Sequence, residues 1–494
     1  MSVSVDKDLL QMTAKELLAF IKSVKERMVK EGQIRRRTEL PSIADEEKPY
    51  DLPQNWEWVR LGDVGQIVGG GTPKTNIEDY WQTGEGGIPW LTPADLTDYK
   101  DTYISSGRRS ITESGLRNSS TQLLPKGSVL FSSRAPIGYV AIASTNLCTN
   151  QGFKSVVPYC KETNKYLYWC LKYKAKEINE NASGTTFKEV SGSDMEAQII
   201  PLPPLAEQQR IVKILDQLSD IKSSLVEESN ESLRIISEYR SIILQDGIQG
   251  KLLPQIESDE PTSVLWEKCI EQKDSIVNKK ARNIEELPQI TDDEHPYKLP
   301  SGWSFLRLGE VVNFIGGQQP EKSTFRYEEA EGYIRLIQIR DYKSDSFKTF
   351  VPIEKARKFC TKDDVMIGRY GPPIFQILRG LEGAYNVALI KAEPRYSILS
   401  KEYLYFLLKN RVLLELLESL SQRTAGQDGI DMKTLKSFVV GIPPVAEQER
   451  IVSKLVDIME ILDSIESELL KSKETAEKLY ESLLRETFNP LDKV

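Results

Sequence analysis

Three short polar segments carry the residues best suited to hold a charged, hydrogen-bonding ligand, and each occurs twice. Gly69-Gly-Gly-Thr-Pro-Lys74, followed by Thr75, offers backbone amides, the hydroxyls of Thr72 and Thr75 and the charge of Lys74, a mixture that positions phosphates and base edges. Its counterpart, Gly316-Gly-Gln-Gln-Pro-Glu-Lys322, supplies Gln318, Gln319 and Lys322. Phe131-Ser-Ser-Arg-Ala-Pro-Ile-Gly138 puts Ser133 and Arg134 in a turn after a strand, opposite Arg369-Tyr370-Gly371-Pro372. Ser183-Gly-Thr-Thr-Phe-Lys188, with Thr185, Thr186 and Lys188, is matched by Ser421-Gln-Arg-Thr-Ala-Gly-Gln427, with Arg423 and Gln427. Arg108 and Arg109 in the first half, and Arg335 and Arg340 in the second, add cations. Singly, each segment reads as a solvated turn; three per half, at the same three places, read as a binding surface.

Catalysis finds no candidate. Gly250-Lys251 lacks the glycine and the hydroxyl of a phosphate-binding GxxxxGK[ST] loop, with Gln245 and Leu252 in their places. Gly69-Gly-Gly71 is followed by Thr-Pro where a dinucleotide fingerprint opens a helix. Asp98-Tyr-Lys100 and Asp341-Tyr-Lys343 have the D-x-K ending of some metal-dependent nucleases but no upstream Pro-Asp. A single histidine, His295, removes His-based zinc sites and Ser-His-Asp triads, and five irregularly spaced cysteines read as reduced thiols.

The elements that position these segments are written twice. Pro49-Tyr-Asp-Leu-Pro-Gln-Asn-Trp-Glu-Trp-Val-Arg-Leu-Gly62 matches 296–309 at an offset of 247, and 202–212 (LPPLAEQQRIV) matches 442–452 (IPPVAEQERIV) at 240. The offset drifts between the two boxes, so insertions fall in the interior of each copy while its frame is kept. Short β-type runs at 128–133, 139–143, 154–158, 364–370 and 386–392 lie between turn residues, and aromatic helices containing Tyr166–Leu171 and Tyr403–Leu408 read as core. After the prolines comes a heptad helix in each copy. Ile451, Leu455, Ile458, Leu462, Ile465, Leu469, Ser472, Ala476, Leu479 and Leu483 alternate steps of four and three, and the positions 240 earlier run from Ile211 to Ile243. Three of those earlier positions are polar, which favours pairing of the two helices within one chain, antiparallel.

The 494 residues suffice for roughly three domains. The net charge of −8 argues against a uniformly basic nucleic-acid binder, yet residues 22–37 balance at +5 and 105–134 at +4, with acid gathered at 257–260 and 328–331. No apolar run is long enough to cross a bilayer, and MSVSVDKDLL has charges where a signal peptide needs an apolar centre, so a cytoplasmic protein without membrane contact is expected.

The LP-x-x-W-x-x-x-x-LG boxes (52–62 and 299–309), the Gly-Gly-Gly-Thr-Pro-Lys loop, Ser183-Gly-Thr-Thr-Phe-Lys-Glu189 and above all Pro203-Pro-Leu-Ala-Glu-Gln-Gln-Arg210 with Pro443-Pro-Val-Ala-Glu-Gln-Glu-Arg450 resemble the specificity subunit of type I restriction–modification systems. That resemblance implies an α+β chain with an internal pseudo-twofold duplication: two mixed α/β target recognition domains (49–204 and 298–444) separated by a pair of long antiparallel coiled-coil helices (205–254 and 445–494). Helical extensions at 1–48 and 255–297 would precede each domain, and are longer than the shortest family members carry. It further implies a non-catalytic chain that reads a bipartite double-stranded DNA target, one domain per half-site. Two methylase subunits would dock through Glu207, Gln208, Arg210, Glu447, Gln448 and Arg450, with restriction subunits joining through the methylase. The complex would be an adenine-specific DNA methyltransferase and endonuclease. No cofactor or metal is expected in this chain; S-adenosylmethionine would sit on the methylase, ATP and magnesium on the restriction subunit. The second copy departs from the family loop, with Ala425-Gly-Gln-Asp428 for Gly-Thr-x-Phe. The competing reading, encouraged by the acidic balance, is a tandem-repeat protein-interaction scaffold without nucleic acid.

Overall fold

Branched and aromatic runs between turn residues become strands close to where the pattern places them. The computed structural model describes residues 7–36, 38–83, 86–184, 188–277, 287–371, 373–423 and 429–488. Contacts group the chain into two units, Met1–Glu228 with Ser472–Val494, and Ser229–Lys471.

In the first unit the strand Glu57–Arg60 pairs antiparallel with Ile199–Leu202, joining the two ends of the recognition domain. A five-stranded sheet follows in the order Gly65–Gly69, Lys154–Pro158, Val129–Ser133, Ile137–Ala143, Tyr103–Ile104. A smaller sheet runs Trp81–Gln82, Arg109–Ile111, Ile88–Leu91, Cys148–Thr149. The aromatic helix Asn164–Glu180 buries Tyr166, Leu167, Tyr168, Trp169, Cys170 and Leu171, the core role expected of it. The preceding helix Ala14–Lys30 opens with a Thr13/Glu16 capping box and docks on the same core through Ala14, Leu17 and Ile21.

The second unit repeats the plan. Ser304–Arg307 pairs with Val439–Ile442; Val312–Gly316, Leu389–Pro394, Val365–Gly368 and Gln376–Leu378 form one sheet; Phe350–Pro352, Tyr333–Ile337, Gly383–Tyr385 and Phe359–Cys360 form the other. The helix Thr262–Val277 takes the place of Ala14–Lys30, with Thr262 and Cys269 buried and Leu265 and Trp266 packed on the core.

One clamp explains why the RLG box and its distant companions recur together. Arg60 is buried and donates to the carbonyls of Pro41 (2.9 Å) and Ala197 (3.1 Å) and to Glu47 (2.9 Å). Arg307, also buried, repeats this on Pro288 (2.7 Å), Ser437 (2.7 Å) and Glu294 (2.8 Å). A buried guanidinium demands such partners, and so fixes three separate segments at once.

The helices Leu205–Ile248 and Val445–Phe488 each contribute to both units. Within the first unit, Lys222 lies 4.6 Å from the ring centre of Tyr480, and Phe488 stacks on Tyr173 at 5.2 Å in the core that holds Ile211 and Leu215. Within the second, Arg240 reaches Asp463 (2.6 Å) and Glu466 (2.8 Å), while Gly247 packs on Leu455 and Ile451. The paired segments therefore run antiparallel, as expected. The seam departs from the heptad reading from its middle towards its C-terminal end. Leu225 (43%) and Ile465 (42%), Tyr239 (55%) and Leu479 (57%) are exposed, and burial passes to the following residue, as at Tyr480 (9%). A helix with 3.6 residues per turn drifts by about 20° per heptad, so a strict 3.5-residue repeat rotates off the buried face unless the pair supercoils.

Candidate nucleic-acid interface

The glycine loop emerges from the strand Gly65–Gly69 and folds back onto the turn at 149–153. A Cβ on Gly70 would stand 2.0 Å from the carbonyl oxygen of Asn150, and one on Gly71 2.5 Å from Ser120 and Thr121. The second domain repeats the approach, a Cβ on Gly317 meeting the Asn386 carbonyl at 1.9 Å. These glycines serve close packing. The Gly71 amide is spent on the Thr149 carbonyl (2.9 Å) and that of Gly70 approaches Phe153 (3.4 Å), so the expected display of exposed amides is corrected: what the loop presents is side chains. Thr72 is half-buried and bonded to Gln151, whereas Lys74 and Thr75 are exposed.

Two tryptophans absent from the sequence reading hold this loop. Trp90, buried, donates its indole N–H to the Gly71 carbonyl (2.8 Å), and Trp81 donates to that of Lys74 (3.2 Å). Their rings meet edge to face at 5.0 Å. The guanidinium of Arg109 sits 3.5 Å from the centre of the Trp81 ring and 5.5 Å from that of Trp90. Arg108 points away, 79% exposed and 3.9 Å from Asp95. The signal that could have found the pair is the spacing Lys74, Trp81, Trp90, Arg109, in which aromatics interleave with cations.

The other two segments are more committed to the fold. Ser133 is fully buried with its hydroxyl unpartnered. Arg134 is 37% exposed and stands 3.8 Å from Glu189, which also holds Lys154 at 3.3 Å. Lys188 donates to the carbonyls of Asn179 (3.0 Å) and Glu180 (3.3 Å), closing the C-terminus of the aromatic helix. Thr185 and Thr186 lie outside the described residues.

In the second domain Gln319 and Lys322 are exposed and Gln318 is half-buried, its amide bonded to the Tyr385 carbonyl (3.1 Å). Arg335 is largely buried and paired with Asp345 at 2.8 Å; its Nε, the Oδ1 of Asp341 and the hydroxyl of Tyr342 are buried without partners. Burial pushes the Asp341 carboxyl above its ordinary range. Arg340 is exposed, reaching the Phe347 carbonyl and Thr349 only at 3.5 Å. Arg369 lies 5.2 Å from the ring of Tyr370, which is 40% exposed. The side chain of Arg423, and Gln427, lie outside the described residues.

The duplicated AEQ box turns inward. Gln208 is 1% exposed and donates to the Pro203 carbonyl (2.9 Å); Gln448, fully buried, binds the carbonyls of Ile398 (2.7 Å) and Pro443 (3.0 Å) and accepts from the Ser400 amide (2.9 Å). Glu447 is 1% exposed and accepts from Trp303 (3.0 Å) and Gln255 (3.2 Å), with burial raising its carboxyl above the usual range. Glu207 accepts from Trp56 at 2.9 Å. These four side chains bolt each long helix to its own domain, a placement the docking reading did not anticipate. Arg210 is exposed, and Arg450 is held bidentate on Asp259 at 2.5 and 3.4 Å.

Among the described residues no group of three or more His, Cys, Asp or Glu is placed to hold a metal ion, and no helix is long and apolar enough to cross a membrane. The five cysteines stand apart and buried, the thiols of Cys148 and Cys360 pushed up to about 11 chiefly by burial. A cavity of about 1360 Å³ between helix Ala14–Lys30, the segment to Ile43 and the first domain is lined by charges of both signs, including Lys22, Arg35, Glu26 and Glu39, and by none of the three polar segments.

The chain belongs to the family described as the type I restriction modification DNA specificity domain, whose model matches residues 53–234 and again 300–475. It is 32% identical to the type I restriction enzyme MjaIX specificity subunit of Methanocaldococcus jannaschii over 57% of each chain, and 24% identical to the EcoAI specificity subunit of Escherichia coli over 96% of this chain and 90% of that one. The chain thus spans a little over half the length of the first of these relatives and nearly all of the second. Among solved structures it resembles a chain from a type I R-M system complex, with a TM-score of 0.62 and 22% identity over 89% of this chain and 99% of that one. The HsdS subunit from Thermoanaerobacter tengcongensis is similar at a TM-score of 0.51 and 20% identity, over 89% and 98%. At these identities the likeness is one of fold: mixed α/β domains present twice, with long helices.

Proposed function

We propose that this chain is the non-catalytic, sequence-reading subunit of a cytoplasmic type I restriction–modification complex. Each domain reads one half of a split double-stranded DNA target. The observation that carries this reading is the contrast inside the family match: two copies keep one buried frame, while most of the side chains presented by the loops differ, a lysine (Lys74, Lys322) and an arginine (Arg134, Arg369) alone recurring among the groups below. Lys74, Thr75, Arg108, Arg109 and Arg134 in one domain, and Gln319, Lys322, Arg340, Arg369 and Tyr370 in the other, are the reading groups; Arg to guanine and Gln to adenine are the commonest pairings. The negative total charge suits a chain whose partners supply much of the phosphate contact.

Two methylase subunits carrying S-adenosylmethionine dock on the long helices, and restriction subunits using ATP and magnesium join through them. With Gln208, Glu447 and Gln448 internal, docking falls to exposed groups: Ile221 (57%) with Ile461 (60%), repeated in both helices, and Arg210, whose counterpart Arg450 is half-buried on Asp259. The scaffold alternative has only the acidic balance behind it, which phosphate contacts made by partners accommodate equally well. Comparing adenine methylation of host DNA with and without the gene tests the reading. A split target lost with the gene supports it; an unchanged pattern in an active methylase background contradicts it.

A further inference from the structure

The described cations on the reading surface of the first domain differ in how far their donors are already committed. Arg134 faces Glu189, Arg108 faces Asp95, and Lys188 caps a helix. Arg109 is exposed, and no ion pair engages it among the described residues. It is nonetheless fixed in place, because it leaves a strand opposite Trp90 and its guanidinium rests over Trp81. Stacking occupies a face of the planar guanidinium and leaves its edge, where the N–H donors point, open to solvent. An edge of parallel donors held at one angle matches the O6 and N7 acceptors of guanine in the major groove.

Resting on the specificity-subunit reading, we infer that Arg109 reads a guanine in the half-site of the first domain, with Trp81 and Trp90 as its positioning residues. The two indole N–H groups tie the carbonyls of Lys74 and Gly71 to the same aromatic pair, so the loop bearing Lys74 and the arginine form one rigid constellation. Lys74, a point charge on a flexible stem, serves as the phosphate anchor beside it. Among the described residues the second domain has no copy of this device. Leu336 stands where Trp90 does, on the strand running parallel to the equivalent of Cys148–Thr149, and Thr349 stands where Arg109 does.

The test maps methylation by the assembled methylase complex on target libraries carrying every base at each position of both half-sites. For Arg109→Ala, the preference for guanine at one position of the first half-site falls by roughly 10-fold or more, while the second half-site keeps its specificity and so certifies the fold. Arg109→Lys relaxes the same position but retains more affinity at low salt. Trp81→Leu relaxes it too, and Trp81→Tyr, which restores a ring, recovers part of the preference. A uniform loss over all sequences, no change, or a first half-site without guanine would overturn the assignment. A wild-type complex that modifies no split target would instead sink the underlying reading of the chain, and Arg109 with it.

Discussion

The first and second recognition domains share a frame and differ at its rim. Arg60 and Arg307 make the same bonds to the same three segments, Trp56 and Trp303 both donate to the glutamate of the AEQ box, and Gly70 and Gly317 both press against an asparagine carbonyl. At the small sheet the likeness ends: Trp81, Trp90 and Arg109 on one side, Arg335 locked to Asp345 on the other. A buried polar atom without its partner is costly, so both copies retain these pairs; an exposed side chain answers only to whatever it touches outside.

The largest effect should come from breaking the frame. Arg60→Ala strands two carbonyls and a carboxylate, Arg307→Ala three carbonyls and a carboxylate, and each should destabilise its own unit by about 3 kcal/mol, read from denaturant unfolding. Comparable losses in the two variants would sharpen the claim of one frame; a neutral variant would break it. Next, Gly70→Ala and Gly317→Ala force a methyl group into a carbonyl and should cost about 1–3 kcal/mol, with recognition of the corresponding half-site impaired. Methylation assays that score each half-site separately would check this.

Acid should probe the second copy more finely. The carboxyl of Glu294 is lowered to about 2 by its hydrogen bonds to Arg307 first and the Thr291 amide next. Its contribution is therefore full above pH 4.5 and is lost as pH falls from there towards 2. Glu294→Gln should flatten the acid limb of the second unit's stability profile over that window. Glu447 acts with the opposite sign: its carboxyl is raised, so the folded state keeps a proton that the unfolded chain releases, and its contribution declines as pH rises above 4.5. Trp303→Phe, which removes a donor to that carboxylate, should steepen this decline. Acid titrations indistinguishable from wild type would contradict both assignments. Smallest is Lys188→Met, which removes a helix cap and should cost less than about 1 kcal/mol while leaving sequence preference untouched; altered preference would return Lys188 to the reading surface.

Much of the frame was legible in the sequence because repetition marks what packing demands. Repetition located the aromatic core helices and the long helices, whose packing departs from a strict heptad only by a drift that straight helices impose, whereas the pairing of the end strands Glu57–Arg60 with Ile199–Leu202 and Ser304–Arg307 with Val439–Ile442 emerges only in the fold. Less of the site was legible. Which cations are free depends on how the chain folds back on itself, which no spacing announces: Glu189 for Arg134, Asp345 for Arg335, the helix end for Lys188. Trp81 and Trp90 were overlooked because their role lies in indole donors aimed at a loop that no periodicity announces. The AEQ glutamates and glutamines read as surface because they are polar and open a helix; their carbonyl and indole partners, visible only in the fold, place them inside.

The account stands most directly on an exchange of residues 49–200 for the same segment of a relative, followed by mapping of the methylated sequence produced by the complex. One half of the split target should change to that of the relative while the other half stays as it was. If both halves change, or neither does, the two domains do not read DNA independently and the central claim fails.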